Sequence, residues 1–338
     1  MSAKTPRYAN NFAAMSYRGP SAGIWYDCPI GEFNEDPSYG QYFFEDFRMV
    51  GNAVMSSAFQ GSLGRWSVYG AAGAFVNDQQ LDGGVIGFGS DGDNEGLTLS
   101  SSAGAVRLVK SVNSTLFCTK KTWFEASVGT STVAATKRDD FVGLAIPALS
   151  SNEPRANYPI TTTDDTLDAT NGTFIGFHRK GTASPLDWSF CFNLAGGTVN
   201  YVTNLTAVMA AAQLQQPATL QFGQYQQAQA AFTPLAANQL VKLGFVFDPN
   251  YEVRLIGSKP TARQSSGSGP FTALLRVFVN GIEILATFLT AADVLNATAG
   301  QAFPTGFMMP TIATMNQTGT APGNMLADFI GVAQYADS

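Results

Sequence analysis

Two residues, Asn280-Gly281, lie between the apolar runs Arg276-Val277-Phe278-Val279 and Ile282-Glu283-Ile284, and they constrain the chain more than any other feature. An Asn-Gly pair flanked by alternating apolar residues marks a two-residue β-hairpin, because both turn positions need φ > 0. With the turn there, Val279 faces Ile282 and Val277 faces Ile284 on a fully aliphatic side. Phe278 faces Glu283 and Arg276 faces Leu285 on a mixed side, the pattern of a sheet with one face on a core. Upstream, Val241, Leu243, Phe245 and Phe247 alternate in the same way before Asp248-Pro249, and Asp328–Gln334 supplies a closing strand.

The rest of the chain repeats this short-strand rhythm. From Asp46 onward, apolar segments alternate with turn clusters such as Gly83-Gly84, Asp91-Gly92-Asp93, Asn171-Gly172 and Gly196-Gly197. Expected strands include Trp66–Tyr69, Val85–Phe88, Leu97–Leu99, Val106–Val109, Trp123–Val128, Phe141–Ile146, Phe174–Phe177 and Trp188–Leu194. These predict an all-β protein, an antiparallel jelly-roll β-sandwich. Two interruptions read as short helices. Ala207–Gln216 has high helix propensity, stops at Pro217 and lies in an insertion near 203–236; Thr290–Asn296 opens on a Thr N-cap. Residues 258–270 read as an exposed loop.

Residues 1–47 differ from the remainder. They carry isolated aromatics, among them Tyr8, Phe12, Tyr17, Trp25, Tyr26 and Phe33, with no period of 2 or 3.6. Disordered tails are poor in aromatics. Two readings fit: an extended arm that inserts side chains into a partner surface, or a long ordered loop packed on its own domain.

Composition excludes several function classes. Hydrophobic residues make up 45% of the 338 residues, enough for a sizeable core, whereas charged residues are only 13%, against about a quarter in ordinary domains. A formal charge of -6 without a basic run argues against nucleic-acid binding. No apolar run reaches membrane-spanning length, and the first residues lack the apolar stretch of a signal peptide. Cys28, Cys118 and Cys191 form no metal or disulfide spacing, consistent with synthesis in a reducing cytoplasm.

The C-terminal motifs add a resemblance. Lys242–Asp248, Val277–Gly281 and Asp328–Val332 are similar to the K-L-G-F-x-x-D, x-V-x-G and D-x-I-x-V strands of concanavalin-A-like (LamG/glucanase-like) jelly-roll sandwiches. Trp123-Phe124-Glu125-Ala126 and Phe141-Val142-Gly143-Leu144-Ala145 fit the sheet partners expected before them. The whole also looks like structural proteins of tailed bacteriophages that carry such a sandwich behind an extended N-terminal arm. That resemblance implies a 1–47 arm and a 48–338 sandwich. It implies a non-enzymatic virion protein, a capsid decoration or cement protein on the capsid surface, made in the host cytoplasm. Its partners would be the major capsid protein and further copies of this chain, in a trimer if it sits at threefold positions, with neither nucleic acid nor membrane. Tyr8, Phe12, Tyr17, Trp25, Tyr26 and Phe33 would then bind the capsid.

The chemistry-bearing residues offer two alternatives. A glycan-binding sandwich of a tail or head fibre would need exposed aromatics on one face. A glycoside hydrolase or lyase would need paired carboxylates on one strand, aimed into a cleft by the period of 2. Asp91-Gly92-Asp93-Asn94-Glu95-Gly96 is the one comparable run, and its small flanking residues make it a turn rather than a strand. The same run matches the start of a calcium loop through Asp91, Asp93 and Glu95, although Ser102 stands where the bidentate Glu belongs, which leaves two readings, a bare acidic turn with no cofactor or a structural calcium site. His178, the sole histidine, is expected at a strand end near the surface. No nucleophile elbow or phosphate loop accompanies it.

Overall fold

In the computed structural model, the described residues are 20–47, 53–54, 59–71, 75–78, 85–89, 95–112, 115–131, 138–146, 149–150, 153–154, 158–161, 166–181, 188–202, 240–249, 272–290, 295–296, 301–316 and 324–336. Two short helices come first, α1 (Ala22–Trp25) and α2 (Ile30–Glu35). The strands follow in chain order as β1 (Gly40–Glu45), β2 (Ala53–Val54), β3 (Phe59–Leu63), β4 (Trp66–Gly70), β5 (Phe75–Asp78), β6 (Ile86–Gly89) and β7 (Gly96–Ser100). Next are β8 (Val109–Val112), β9 (Thr115–Cys118), β10 (Thr122–Thr130), β11 (Arg138–Ile146), β12 (Leu149–Ser150), β13 (Glu153–Pro154), β14 (Thr173–Arg179), β15 (Trp188–Asn193) and β16 (Asn200–Val202). The last are β17 (Leu240–Asp248), β18 (Thr272–Val279), β19 (Ile282–Thr290), β20 (Leu295–Asn296), β21 (Gln301–Ala302), β22 (Met309–Asn316) and β23 (Met325–Tyr335).

Two antiparallel sheets hold most of these strands. The first, nine-stranded, runs β19-β18-β17-β10-β23-β6-β5-β2, with β1 also paired to β23. The second, eight-stranded, runs β16-β15-β14-β11-β22-β7-β4-β3. The outer neighbours are mostly consecutive in the chain, whereas β17-β10, β10-β23, β23-β6, β11-β22 and β22-β7 join distant parts of it, and the fold is an antiparallel jelly-roll β-sandwich. Along β10, Phe124, Ala126 and Val128 join the main core with Phe245 of the adjacent β17 and with Val142, Leu144, Phe177 and Ile312 from the facing sheet. Phe124 stacks on Phe245 with ring centroids 5.1 Å apart, and Phe190 meets Phe245 edge-on. Aromatic pairs of this kind add about 0.5–1.5 kcal/mol beyond the area they bury.

The hairpin forms where Asn280-Gly281 places it. Asn280 has φ 50° and Gly281 φ 76°, as a two-residue turn of this type demands. Val279 pairs with Ile282 and Phe278 with Glu283. One residue further on the register departs from the expected one: Val277 pairs with Leu285 and Arg276 with Ala286. A β-bulge adds Ile284 as an unmatched residue, and Ile284 turns into the main core with Val277 and Val279. The closing strand carries a similar irregularity. Ser127 pairs with Phe329 but Val128 with Ala327, so both Ala327 and Ile330 face the core.

Some local expectations change. Thr290 ends β19 and Leu295–Asn296 pairs with Gln301–Ala302, so the segment expected as a short helix is extended at both ends, and residues 291–294 lie outside the described residues. Val106 makes only an isolated bridge to Met308, and the neighbouring strand begins at Val109. The helix expected at 207–216 and the loop at 258–270 lie outside the described residues.

Candidate functional site

Residues 20–36 of the N-terminal segment form a strap along the outer face of the first sheet, and residues 40–45 continue as a strand of that sheet, with Phe43 and, just after it, Phe47 against Trp66 in the main core. Strand β1 pairs with β23 from Gly40–Tyr335 to Glu45–Ile330. Ahead of it, Ile24, Trp25, Cys28, Ile30 and Phe33 form a second apolar cluster with Trp123, Val246, Phe278 and Ala333, on the face opposite the main core. Phe33 meets Trp123 and Tyr335 edge-on, at 6.5 and 5.2 Å between ring centroids. Trp25 and Phe33, expected to reach a partner surface, are therefore buried on the chain's own sheet, at 2% and 4% exposure. Of the two sequence readings, 20–47 follows the ordered segment packed on its own domain. Tyr26 stays 53% exposed, while Tyr8, Phe12 and Tyr17 lie outside the described residues.

Register explains why the strap fits. One cross-strand row reads Phe278, Gly244, Glu125, Gly331 and Phe44. The two glycines flank Glu125 and leave a trough on either side of its carboxylate. A Cβ on Gly244 would stand 2.5 Å from Ile24 Cδ1, and one on Gly331 would stand 3.2 Å from Trp25 Cζ2. At the sheet edge, a Cβ on Gly23 would stand 2.2 Å from the carbonyl oxygen of Gly281, so α1 rests on the hairpin turn itself. The turn is also tied to the next strand, since Asn280 Oδ1 accepts from the Lys242 amide at 2.9 Å.

Glu125 is the polar centre of this contact and is fully buried. Its Oε2 accepts from the Trp25 indole Nε1 at 2.7 Å and from the Ser21 amide at 2.8 Å, while Oε1 has no hydrogen-bond donor. Burial pushes the carboxyl above its usual range against the pull of the Ser21 and Trp25 donors and of Lys242. Lys242, on the adjacent strand, is held below its ordinary value by the same burial, opposed by Glu125 and Asp328. A second polar tie lies at the strand end. Asp27 accepts from the Trp123 indole at 2.9 Å and from Lys121, which also reaches Asp248 at 3.0 Å. Burial pulls the Lys121 ammonium down, and the two carboxylates outweigh it and raise it above its ordinary value.

Inside the sandwich, at one end of β11, Asp140 lies between two arginines. Arg138 grips it through Nε at 2.9 Å and Nη2 at 3.0 Å, Arg179 donates through Nε at 2.8 Å, and the Thr314 hydroxyl adds a bond of 2.7 Å. Arg138 and Asp140 are fully buried and Arg179 nearly so. Burial raises the Asp140 carboxyl, but the two guanidinium groups outweigh it and hold it below the carboxylate range. On the opposite face of the same sheet, His178 is buried rather than exposed, and its Nδ1 lies 3.1 Å from the Tyr201 hydroxyl. Cross-strand pairing with Phe141 and Ser189 holds it there.

The acidic run of the sequence reading is only partly described. Asp91 and Asp93 lie outside the described residues, and Glu95 receives the Asn316 amide on its backbone carbonyl. Among the described residues, no group of three or more His, Cys, Asp or Glu side chains comes together in a way that would hold a metal ion. Cys28 and Cys191 are free and buried, and burial lifts both thiols far above their usual range.

Sequence reasoning took Glu125 as an ordinary sheet residue and did not foresee the strap contact. The signal was an acidic residue inside the apolar run Trp123-Phe124-Glu125-Ala126, where only a specific donor makes a carboxylate tolerable. The charged pairs Arg138-Asp139-Asp140 and His178-Arg179-Lys180 gave the same signal for the interior cluster.

No family model and no curated protein matches the chain. Among solved structures it is similar to peanut lectin, at 11% identity and a TM-score of 0.41, covering 88% of this chain and 99% of that one. It is likewise similar to the catalytic domain of an endo-1,3-beta-glucanase from Thermotoga petrophila, at 9% identity and a TM-score of 0.41, covering 88% and 98%. A carbohydrate esterase from Shiga toxin-encoding bacteriophage phi24B aligns at 13% identity and a TM-score of 0.36, covering 85% and 98%. The likeness is one of fold.

Proposed function

We propose that the protein is a non-catalytic structural component of a bacteriophage particle, a decoration or cement protein that binds the capsid surface and bridges its subunits. The supporting observation is the use made of two buried acidic groups and one half-buried one. Glu125 is sealed under Trp25, Asp140 is held between Arg138 and Arg179, and Asp27 ties the strap to Lys121 and Trp123. Each joins two parts of the chain instead of facing a substrate. A scaffold uses its charges in this way.

The strap fixes where the preceding residues join the sandwich. Ser21 is held by Glu125 beside the Asn280-Gly281 turn, and residues 1–19, with Tyr8, Phe12 and Tyr17, continue from that point. A decoration protein stabilises a shell by adding buried area between neighbours, which requires anchors and no catalytic residue. The major capsid protein is the proposed partner, with self-association on the capsid surface and neither nucleic acid, membrane nor cofactor involved.

The test is decoration of capsids from the parent phage that lack this protein. Deleting residues 1–19, or replacing Tyr8, Phe12 and Tyr17 with Ala, should abolish binding while thermal unfolding stays unchanged. Undiminished decoration by the shortened protein would sink the reading. A glycan-binding role is favoured by one feature, Phe307, which is 60% exposed with the Arg107 guanidinium 4.6 Å from its ring centroid. Saturable binding on a glycan array that is lost in Phe307→Ala would move the assignment to that reading.

A further inference from the structure

The strap is clamped over the fully buried carboxyl of Glu125. Glu125 projects from the middle of β10 between Gly244 and Gly331, so no side chain on either flanking strand shields it at its own level. The shield is the strap: Ile24 and Trp25 cover the two glycine positions, and Trp25 and Ser21 donate to one oxygen alone. The other oxygen, Oε1, is buried without a donor. A neutral acid bears that arrangement at lower cost, with both strap donors on Oε2 and an unpaired hydroxyl at Oε1. An ionised carboxylate does not, because a bare buried anionic oxygen carries the full cost of lost hydration.

Other charged and titratable groups stand on the surrounding elements. Lys242 of β17 and Tyr42 of β1 act with Glu125, Asp328 of β23 acts on Lys242, and Cys28 of the strap acts on Tyr42. Asp27 of the strap is engaged with Lys121, Arg276 of β18 lies beside Glu283 of β19, and Tyr335 of β23 lies beside Asp27 and Glu32. Tyr42 and Cys28 are both pushed upward by burial first, so both are neutral through the ordinary pH range. Lys242 is the one cation that favours the ionised form of Glu125, and it is outweighed by burial.

We propose that residues 20–36 form a proton-controlled closure: with Glu125 protonated the strap stays clamped, and with Glu125 ionised it opens and uncovers Trp123, Val246 and Phe278. The sign follows from linkage. Clamping buries the carboxyl and raises its affinity for a proton, so the clamped state binds more protons than the open state, where Glu125 is solvated. Clamping is therefore strongest in acid and weakens as pH rises through the clamped-state value. This device stands independently of the capsid reading.

Hydrogen exchange of the full chain reads it directly. After correction for intrinsic exchange, amide protection of Ile24, Trp25 and Cys28, relative to β10 and β23, should fall about tenfold for each pH unit between the ordinary carboxyl value and the raised clamped-state value, and level off above it. Glu125→Gln keeps an acceptor for Trp25 and Ser21 and carries no charge, so its strap protection should be independent of pH between about pH 5 and pH 8. Lys242→Met removes the cation that favours the ionised carboxyl and should move the opening to higher pH, whereas a move to lower pH overturns the proposal. Strap protection that is flat with pH in the wild type overturns the proposal. So does an equal slope in Glu125→Gln. Should that variant fail to fold, carboxyl carbon NMR of Glu125 in the wild-type protein decides instead, and an ordinary carboxylate titration there also overturns it.

Discussion

The indole nitrogen of Trp25 lies 2.7 Å from Oε2 of Glu125, a hydrogen bond across 100 residues of chain that joins the N-terminal strap to the centre of the first sheet. It combines two forces that usually act apart. Trp25 contributes apolar area to a cluster outside the main core, and its one polar atom satisfies a buried carboxylate. Trp25→Ala should therefore cost about 3–5 kcal/mol, the range for removing a large buried ring. Trp25→Phe keeps most of the ring and loses only a donor to a neutral carboxyl that keeps the Ser21 amide, for about 0.5–1.5 kcal/mol. Urea denaturation of both variants measures the two steps. Equal losses would show that the hydrogen bond contributes nothing.

The glycine row makes a separate prediction. Gly244→Ala places a methyl 2.5 Å from Ile24 Cδ1 and 2.7 Å from the carbonyl oxygen of Phe124, so both the strap and the strand must give way. Overpacking of this kind costs about 1–3 kcal/mol. Gly331→Ala meets Trp25 Cζ2 at 3.2 Å and Phe44 Cδ2 at 3.3 Å, which are side-chain atoms with some freedom to shift. Its loss in denaturation midpoint should be the smaller of the two.

These contacts also separate what was legible in the sequence from what was not. Asn280-Gly281 announces its hairpin because the turn chemistry is local: two adjacent residues with positive φ suffice. The alternation of Val241–Phe247 is equally local and gives the strand and its inner face. The register beyond Phe278 is not, because the bulge that inserts Ile284 answers to the core across the sandwich. The strap is further still from local signals. Its aromatics at Trp25 and Phe33 mark a segment that binds something, but the trough that receives them is assembled from Gly244, Glu125 and Gly331 on three strands distant in sequence. His178 was misplaced for a similar reason, since its burial comes from neighbouring strands rather than from its polar flanks.

Truncation should divide sharply at Ser21. Removing residues 1–19 leaves every described contact of the strap in place, so the melting temperature should stay within about 1 °C of the intact protein, below the shift that 1 kcal/mol produces. Removing residues 1–47 strips β1 from β23 and exposes Trp123, Val246, Phe278 and Ala333 together with the Glu125 carboxylate. An apolar patch of that kind beside an unpaired strand edge promotes association. The longer deletion should unfold at lower temperature and aggregate in light scattering. If it melts like the intact protein and stays monodisperse, the strap contributes nothing to the sandwich.

The buried cluster at the end of β11 predicts an acid limit. Asp140 accepts from Arg138, Arg179 and Thr314, and these partners hold its carboxyl below the ordinary value in the folded state. A depressed carboxyl contributes stability that is complete above the unfolded value near 3.9 and is lost as pH falls through the folded value. Urea midpoints measured from about pH 5 downward should therefore fall steeply below about pH 4. Asp140→Asn removes the charge and leaves two guanidinium groups buried together, which should cost about 3–5 kcal/mol at neutral pH. The same substitution should flatten the acid limb, because the group that titrates is gone. Replacing Arg138, Asp140 and Arg179 together with apolar residues of similar volume should recover much of that loss, since a buried ion cluster can be exchanged for packing at little cost. A triple variant no more stable than Asp140→Asn would mean that the cluster specifies the end of the sandwich and does more than satisfy itself.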